Sequence, residues 1–332
     1  MTGPRPPDVV VGHDAKAADH PSFDVGGDQL IMLVRDVVIE WFATHARSLP
    51  WREAPTPWGV LVSEVMLAQT PVARVAPVWS AWLERWPTPQ ELAAEPLAEA
   101  IRAWGRLGYP RRAMRLHEAA GVITREHNGV VPADYATLRS LPGVGDYTAA
   151  AVVSFAYQGR AVVLDVNVRR LFARYFFGEP TARTHVTSAD RRFADKLAPI
   201  EPAAAALWAA ATMELGQVVC TARNPDCGHC PLALGCAWLA AGRPGVGERT
   251  TRRQGYFGTD RYVRGLILAR LHDGPAGRAE LDVLWNDAGQ FARALDSLVT
   301  DGLVDPFTPG NFALPGDAPA ARSAVSARFT PG

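Results

Sequence analysis

Before residue 220 the chain alternates between stretches whose apolar residues recur every three or four positions and short polar connectors rich in Gly and Pro. Over residues 28–46, Leu30, Leu33, Val34, Val37 and Trp41 fall on one helical face. Pro50, Pro55 and Pro57 interrupt the pattern, and a second helix is expected over 57–69. Further helical patterns cover 72–86, 97–104, 111–127, 134–140, 147–157, 168–177, 188–197 and 203–215. The strand-like run 161–164 is too short to anchor a sheet, so the pattern predicts an all-α core.

Beyond residue 240 the pattern changes. Residues 241–254 are rich in Gly and Arg and read as a linker. Three amphipathic stretches follow at 262–271, 277–285 and 288–300, then an apolar, Pro- and Gly-rich stretch ends near Leu314. Three helices and a hairpin-like tail predict a small winged-helix-like module over 255–315. The expected organisation is a disordered leader at 1–27, a helical domain at 28–240, the linker, the module, and a disordered tail at 316–332.

At 332 residues and 48% apolar content the chain can bury a sizeable core. Lys plus Arg and Asp plus Glu both number 34, so no global field advertises a polyanionic partner, and any such partner must be held by local patches. No run reaches the length of a membrane span, and the leader lacks an apolar signal core. The expectation is a monomer in a reducing, cytoplasmic compartment.

All 4 cysteines lie in one window, Cys220-x6-Cys227-x2-Cys230-x5-Cys236, separated by turn-forming residues. Thiolates gathered this way point to metal ligation, and their spacing suits either a structural zinc or an iron–sulfur cluster. A second motif, Leu141-Pro142-Gly143-Val144-Gly145, joins an apolar helix end to a new helix. Such a hairpin bares the amides of Gly143 and Gly145 beside a helix N-terminus, which suits a phosphate; an ordinary turn between helices uses the same residues. Arg139, Arg160, Arg169, Arg170 and Arg174 lie near enough in sequence to add charge.

Two carboxylates sit in contrasting sequence environments. Glu64 interrupts the apolar run Val60 to Leu67, where desolvation raises a carboxyl pKa; a solvated helical Glu is the plainer reading. Asp165 ends an apolar run beside Asn167 and Arg169, either as a helix cap or as an anion held ionised by them.

Taken with Asp165, the hairpin resembles that of the helix-hairpin-helix DNA glycosylase superfamily, and the cysteine window is similar to the 4Fe–4S loop of its endonuclease III-like branch. Leu49-Pro50-Trp51-Arg52, Ser63 to Thr70, Gly105 to Tyr109 and Leu164 to Arg170 resemble the MutY-type adenine glycosylases, in order from about Gln29 to Leu239. The resemblance implies a two-lobed all-α fold, one 4Fe–4S cluster on Cys220, Cys227, Cys230 and Cys236, and double-stranded DNA with a mismatch or oxidised guanine as partner. It implies Glu64 as the acid that protonates the adenine, Asp165 as the carboxylate that stabilises the sugar cation, and Asn167 as its support. Tyr147 stands where bifunctional relatives carry a Schiff-base lysine, so a monofunctional enzyme leaving an abasic site is expected.

Gln69 and Tyr109 match positions that wedge into the base stack. Around Tyr109, the arginines 102, 106, 111, 112 and 115 predict backbone contacts, with Arg111 and Arg112 foremost, and binding that weakens steeply with salt. Ala68 replaces a usual Gln, and Val166 replaces a usual Gly. The region 255–314 carries no sign of the Nudix-like domain with which many relatives recognise 8-oxoguanine. The same scaffold also serves thymine and uracil mismatch glycosylases, and a non-catalytic iron–sulfur DNA-binding regulator is the alternative of another class.

Overall fold

The computed structural model describes residues 25–245 and 255–318. The expected leader, linker and tail therefore fall largely outside the described residues. The helices in chain order are α1 (Val25–His45), α2 (Pro50–Glu53), α3 (Pro57–Leu67), α4 (Val72–Arg85), α5 (Pro89–Ala94), α6 (Leu97–Trp104), α7 (Arg111–Glu126), α8 (Tyr135–Ser140), α9 (Asp146–Tyr157), α10 (Val166–Phe177), α11 (Ser188–Leu197), α12 (Pro202–Val218) and α13 (Ala237–Ala240). In the C-terminal module α14 (Asp260–His272), β1 (Ala276–Gly277), α15 (Arg278–Asp282), α16 (Ala288–Thr300), β2 (Asp305–Thr308) and β3 (Asn311–Ala313) follow.

Two apolar cores divide the helical domain. One gathers Trp51, Trp58, Trp79, Trp82, Trp86 and Trp104 with aliphatic residues of α3 to α9. The other joins Val34, Val38 and Trp41 of α1 to Leu171 and Phe172 of α10 and Trp208 and Leu215 of α12. The first helix thus completes the second lobe, and the chain crosses between lobes twice. At the lobe junction α3 packs on α9, and α9 on α12.

Local chemistry accounts for the helix limits. Thr56 caps α3 by accepting from the Gly59 amide, with Pro57 supplying a preset φ at the first position. The Thr88–Glu91 capping box starts α5, a helix hidden from periodicity by its Pro-rich setting. Asp165 caps α10, so that helix begins two residues before the expected 168. Helix α3 stops at Leu67 instead of 69, because Gln69 turns into the left-handed region with φ of 60°. The run 161–164 forms no strand.

In the module the hairpin β2–β3 follows the third helix, as the winged-helix-like reading expected, and β1, which that reading did not foresee, falls between α14 and α15 and joins the sheet in the antiparallel order β1-β3-β2. The second helix is shorter than 277–285, spanning Arg278–Asp282. Ala98 and Ile101 of α6 belong to the module's own core with Ile267, Phe291 and Leu298, so the module is seated on the first lobe. Arg102 fastens this seat, donating to the His272 carbonyl at 2.9 Å and pairing with Asp317.

Candidate active site

A cavity of about 630 Å³ opens at the junction of the lobes. Helix α3 contributes Glu64, α9 contributes Tyr147, the start of α10 contributes Asp165 and Asn167, and α12 contributes Met213. Glu64 is 5% exposed in an otherwise apolar helix. The Tyr147 hydroxyl donates to its Oε2 at 2.9 Å and lies 3.4 Å from Met213 Sδ. Burial pushes the Glu64 carboxyl up to about 7; Asp165 adds to that shift, while Tyr147 and Arg52 oppose it. Burial and the two carboxylates raise the Tyr147 phenol well above its ordinary value, so it stays neutral.

Asp165 meets a different environment. Its Oδ1 accepts from the amides of Asn167 at 2.8 Å and Val168 at 2.7 Å, and its Oδ2 accepts from Asn167 Nδ2 at 2.5 Å. Burial pushes its carboxyl up, and these donors with Arg170 pull it back toward the ionised form. Arg170, and not the expected Arg169, stands behind the pair. Its Nη2 donates to Asn167 Oδ1 at 2.8 Å and to the Gly216 carbonyl at 2.6 Å. Arg169 instead turns to the carbonyls of Arg183 and His185. A side chain at Gly216 would meet the Asn167 carbonyl at 2.8 Å, so α12 closes on α10 only with glycine there.

Sequence reasoning missed Glu214. Its side chain is fully enclosed on α12 and accepts from Arg47 Nε at 2.5 Å and Arg52 Nη2 at 2.8 Å. This grip holds Arg52 at the cavity wall beside Trp51. A charged residue facing inward from an Ala-rich helix was its only sequence signal.

The two expected wedge residues are exposed and share an uncommon backbone. Gln69 has φ of 60° and Tyr109 has φ of 51°, both left-handed. Arg112 ties their loops together. Its Nη1 donates to the carbonyls of Val65 at 2.9 Å, Met66 at 3.0 Å and Ala68 at 2.5 Å, and its Nη2 to Thr70 Oγ1 and the Gly108 carbonyl, each at 3.0 Å. The phosphate contact expected of Arg112 is therefore replaced by an internal clamp. Arg111 stays exposed, with Asp301 of the module 3.3 Å away.

The hairpin between α8 and α9 exposes Gly143 and Gly145. Gly143 has φ of +76°, and a Cβ there would strike Arg115 Cβ at 2.6 Å; at Gly145 the same space is open. Of the arginines expected to add charge, Arg139 bonds the Val144 carbonyl and Asp146, and Arg160 bonds Asp195 and the Pro199 carbonyl. Arg170 and Arg174 are buried. Proximity in sequence misassigned these side chains, because their spare donors satisfy loop carbonyls.

The four cysteines line one small cavity and are all half-buried, without disulfides. Among the described residues no three His, Cys, Asp or Glu converge as ligands of a lone ion. Four thiols gathered on one loop are a donor set that fits an iron–sulfur cluster. Arg174 buttresses the loop, stacked 4.1 Å over Trp238 and donating to the Thr221 and Ala222 carbonyls at 2.7 and 3.1 Å. Arg170 Nε reaches the Cys220 carbonyl at 2.8 Å, so one guanidinium touches both this loop and the partner of Asp165.

Residues 62–195 match the HhH-GPD superfamily base excision DNA repair protein family, and residues 220–236 match the iron-sulfur binding domain of endonuclease III. An adenine DNA glycosylase of Mycolicibacterium smegmatis is 50% identical over 293 residues, covering 86% of this chain and 98% of the relative. The chain belongs to the adenine DNA glycosylase family. A thymine/uracil-DNA glycosylase of Pyrobaculum aerophilum is 35% identical over 202 residues, covering 60% of this chain and 88% of that protein. The fold matches a non-covalent endonuclease III–DNA complex with a TM-score of 0.56 at 27% identity, covering 64% of this chain and 97% of that one.

For a glycosylase of this family, the departures at 68 and 166 fall at informative places. Ala68 lines the main cavity and also a smaller one beyond Glu64, of about 300 Å³, bordered by Arg111, Arg115 and the hairpin. Val166 is 66% exposed and lines the same cavity as Asp165.

Proposed function

We propose that the protein excises adenine mispaired with 8-oxoguanine or guanine from double-stranded DNA, hydrolysing the N-glycosidic bond and leaving an abasic site. The observation that carries the reading is the pairing, in one cavity, of a carboxyl raised to about 7 with a second one held by three hydrogen-bond donors. Glycoside cleavage needs that division between an acid and an anion. The extruded adenine takes a proton from Glu64, whose Oε2 is engaged by Tyr147, leaving Oε1 to carry the proton. The glycosidic electron pair leaves with the base, and the Asp165 carboxylate stabilises the cation that forms at the sugar. Water then adds to the sugar carbon and gives up a proton that restores the Glu64 carboxyl, and the products are free adenine and an abasic site.

Tyr147 offers no amine, which supports hydrolysis without strand cleavage. Cys220, Cys227, Cys230 and Cys236 are proposed to hold a 4Fe–4S cluster that supplies a rigid loop on the DNA-facing side, visible as a brown absorbance near roughly 400 nm. Thiolate ligation of iron also argues for a reducing compartment, the cytoplasm and its nucleoid.

Turnover on duplexes carrying A opposite 8-oxoguanine, A opposite G, T opposite G and U opposite G tests the reading. Adenine release from the first two is expected. Release of thymine or uracil with adenine left intact would overturn it in favour of the activity named for the Pyrobaculum relative.

A further inference from the structure

One buried carboxylate lies outside the reacting groups and still bears on them. Glu214 is the single charged residue within α12, and its side chain is fully enclosed. Its Oε1 accepts from the Arg47 amide at 3.2 Å and Arg47 Nε at 2.5 Å, and its Oε2 from Arg47 Nη2 at 2.9 Å and Arg52 Nη2 at 2.8 Å. Burial works to raise the carboxyl, but the two arginines outweigh it and hold it below its ordinary value, so Glu214 is ionised. A buried ion pair returns little net stability once desolvation is counted, so packing alone does not account for this residue.

Of its two partners only Arg52 lines the main cavity. There it is the one cation among the described lining residues and shares the space with Glu64 and Asp165. Arg52 also ties the start of α2 to α1, standing 5.4 Å over the Phe42 ring and donating through Nη1 to the Arg47 carbonyl at 3.4 Å. A cation in a water-poor cavity favours the ionised form of a neighbouring acid, and Arg52 does oppose the burial that keeps Glu64 protonated. We infer that Glu214 is a positioning residue for the reaction: it draws the Arg52 guanidinium against α12 and cancels its charge, so that Glu64 keeps the proton it delivers to the base. This rests on the glycosylase reading above, in which Glu64 acts as an acid.

The other elements around Glu64 leave this balance to Glu214. Tyr147 of α9 stays neutral, and Asp165 at the start of α10 favours the protonated acid. Helix α4 turns Val75, Trp79 and Trp82 inward, all without charge. From α7, Arg111, Arg112 and Arg115 border the smaller cavity on the other side of Glu64. Arg111 pairs with Asp301 and Arg115 with Glu118, while Arg112 spends its donors on the Val65 and Met66 carbonyls of α3. For Arg52 the carboxylate is Glu214.

The test is single-turnover adenine release by the full chain, from a duplex carrying A opposite 8-oxoguanine, measured across pH. Glu214→Gln keeps the shape of the side chain and removes its charge, and should move the alkaline limb down by about one pH unit. Arg52→Met should move that limb up, and the two substitutions together should return it to the wild-type position or above. A purely structural Glu214 predicts a rate lowered at every pH with the limb unmoved, and no recovery when Arg52 is also removed; that result overturns the inference. Should thermal melts show Glu214→Gln unfolded, Arg52→Met decides alone, and an unmoved limb in it overturns the inference equally. Wild-type release separates the two claims: its absence sinks the glycosylase reading, whereas its presence with unmoved limbs sinks the role of Glu214 only.

Discussion

Tyr147 donates its phenolic proton to Glu64 Oε2 across 2.9 Å, from the first turn of one helix to the middle of another. The bond partly offsets the burial that raises Glu64 to about 7. Excision is therefore expected to fall on the alkaline side with an apparent pKa near 7, as the acid loses its proton. The folded-state pKa lies above the ordinary 4.5, so Glu64 favours the folded state at low pH. That contribution, about 3 kcal/mol, is lost as pH rises from the ordinary value through the folded one. Glu64→Gln should abolish base release, retain mismatch binding, and flatten this part of the stability–pH curve. Single-turnover assays and thermal melts across pH check both.

Replacing Tyr147 separates its two contributions. Tyr147→Phe removes the donor that lowers the Glu64 pKa, so the alkaline limb should move to higher pH. Tyr147→Lys should create an amine able to trap the sugar, giving a covalent DNA adduct on borohydride reduction that the wild type lacks. Denaturing gels read the adduct directly.

Asn167→Ala removes the Oδ2 donor of Asp165 and orphans a donor of Arg170. A hydrogen bond to a charged group contributes about 1.5–3 kcal/mol, so the single-turnover rate should fall roughly 10- to 100-fold. With fewer donors the Asp165 pKa rises, and the acidic limb of the rate profile should shift to higher pH. An unmoved limb would place the rate loss elsewhere.

Arg112→Ala frees two loops at once, because its guanidinium bonds carbonyls on both the Gln69 and Tyr109 sides. Base extrusion, read by 2-aminopurine fluorescence beside the mismatch, should suffer more than affinity for undamaged duplex. Combined with Gln69→Ala or Tyr109→Ala the losses should be less than additive.

Of the five arginines around Tyr109, three remain for phosphates. Arg106, Arg111 and Arg115 are exposed near the wedge, whereas Arg102 and Arg112 are committed internally. The strip's contribution to the log–log salt slope of binding should lie near about −3, shallower than a response from all of its arginines. Anisotropy titrations between low and moderate salt measure it.

Helix positions were legible because periodicity and capping are local; Glu64 stood out by breaking an apolar run, but its pairing with Asp165 came from the family resemblance. The destinations of arginines were not. Arg170 and Arg112 look in sequence like any surface cation, and only packing reveals the carbonyls they serve. Glu214 escaped for the same reason, since its partners Arg47 and Arg52 lie 167 and 162 residues away. The seat of the C-terminal module on Ala98 and Ile101 was likewise invisible, because those residues fit an ordinary amphipathic helix.

The commitment of arginines to internal carbonyls also bears on how DNA is held. Guanidinium groups spent this way release no counterions from a duplex, so they lend rigidity to the wedge loops and to the Asp165 site without adding to the hold on intact DNA.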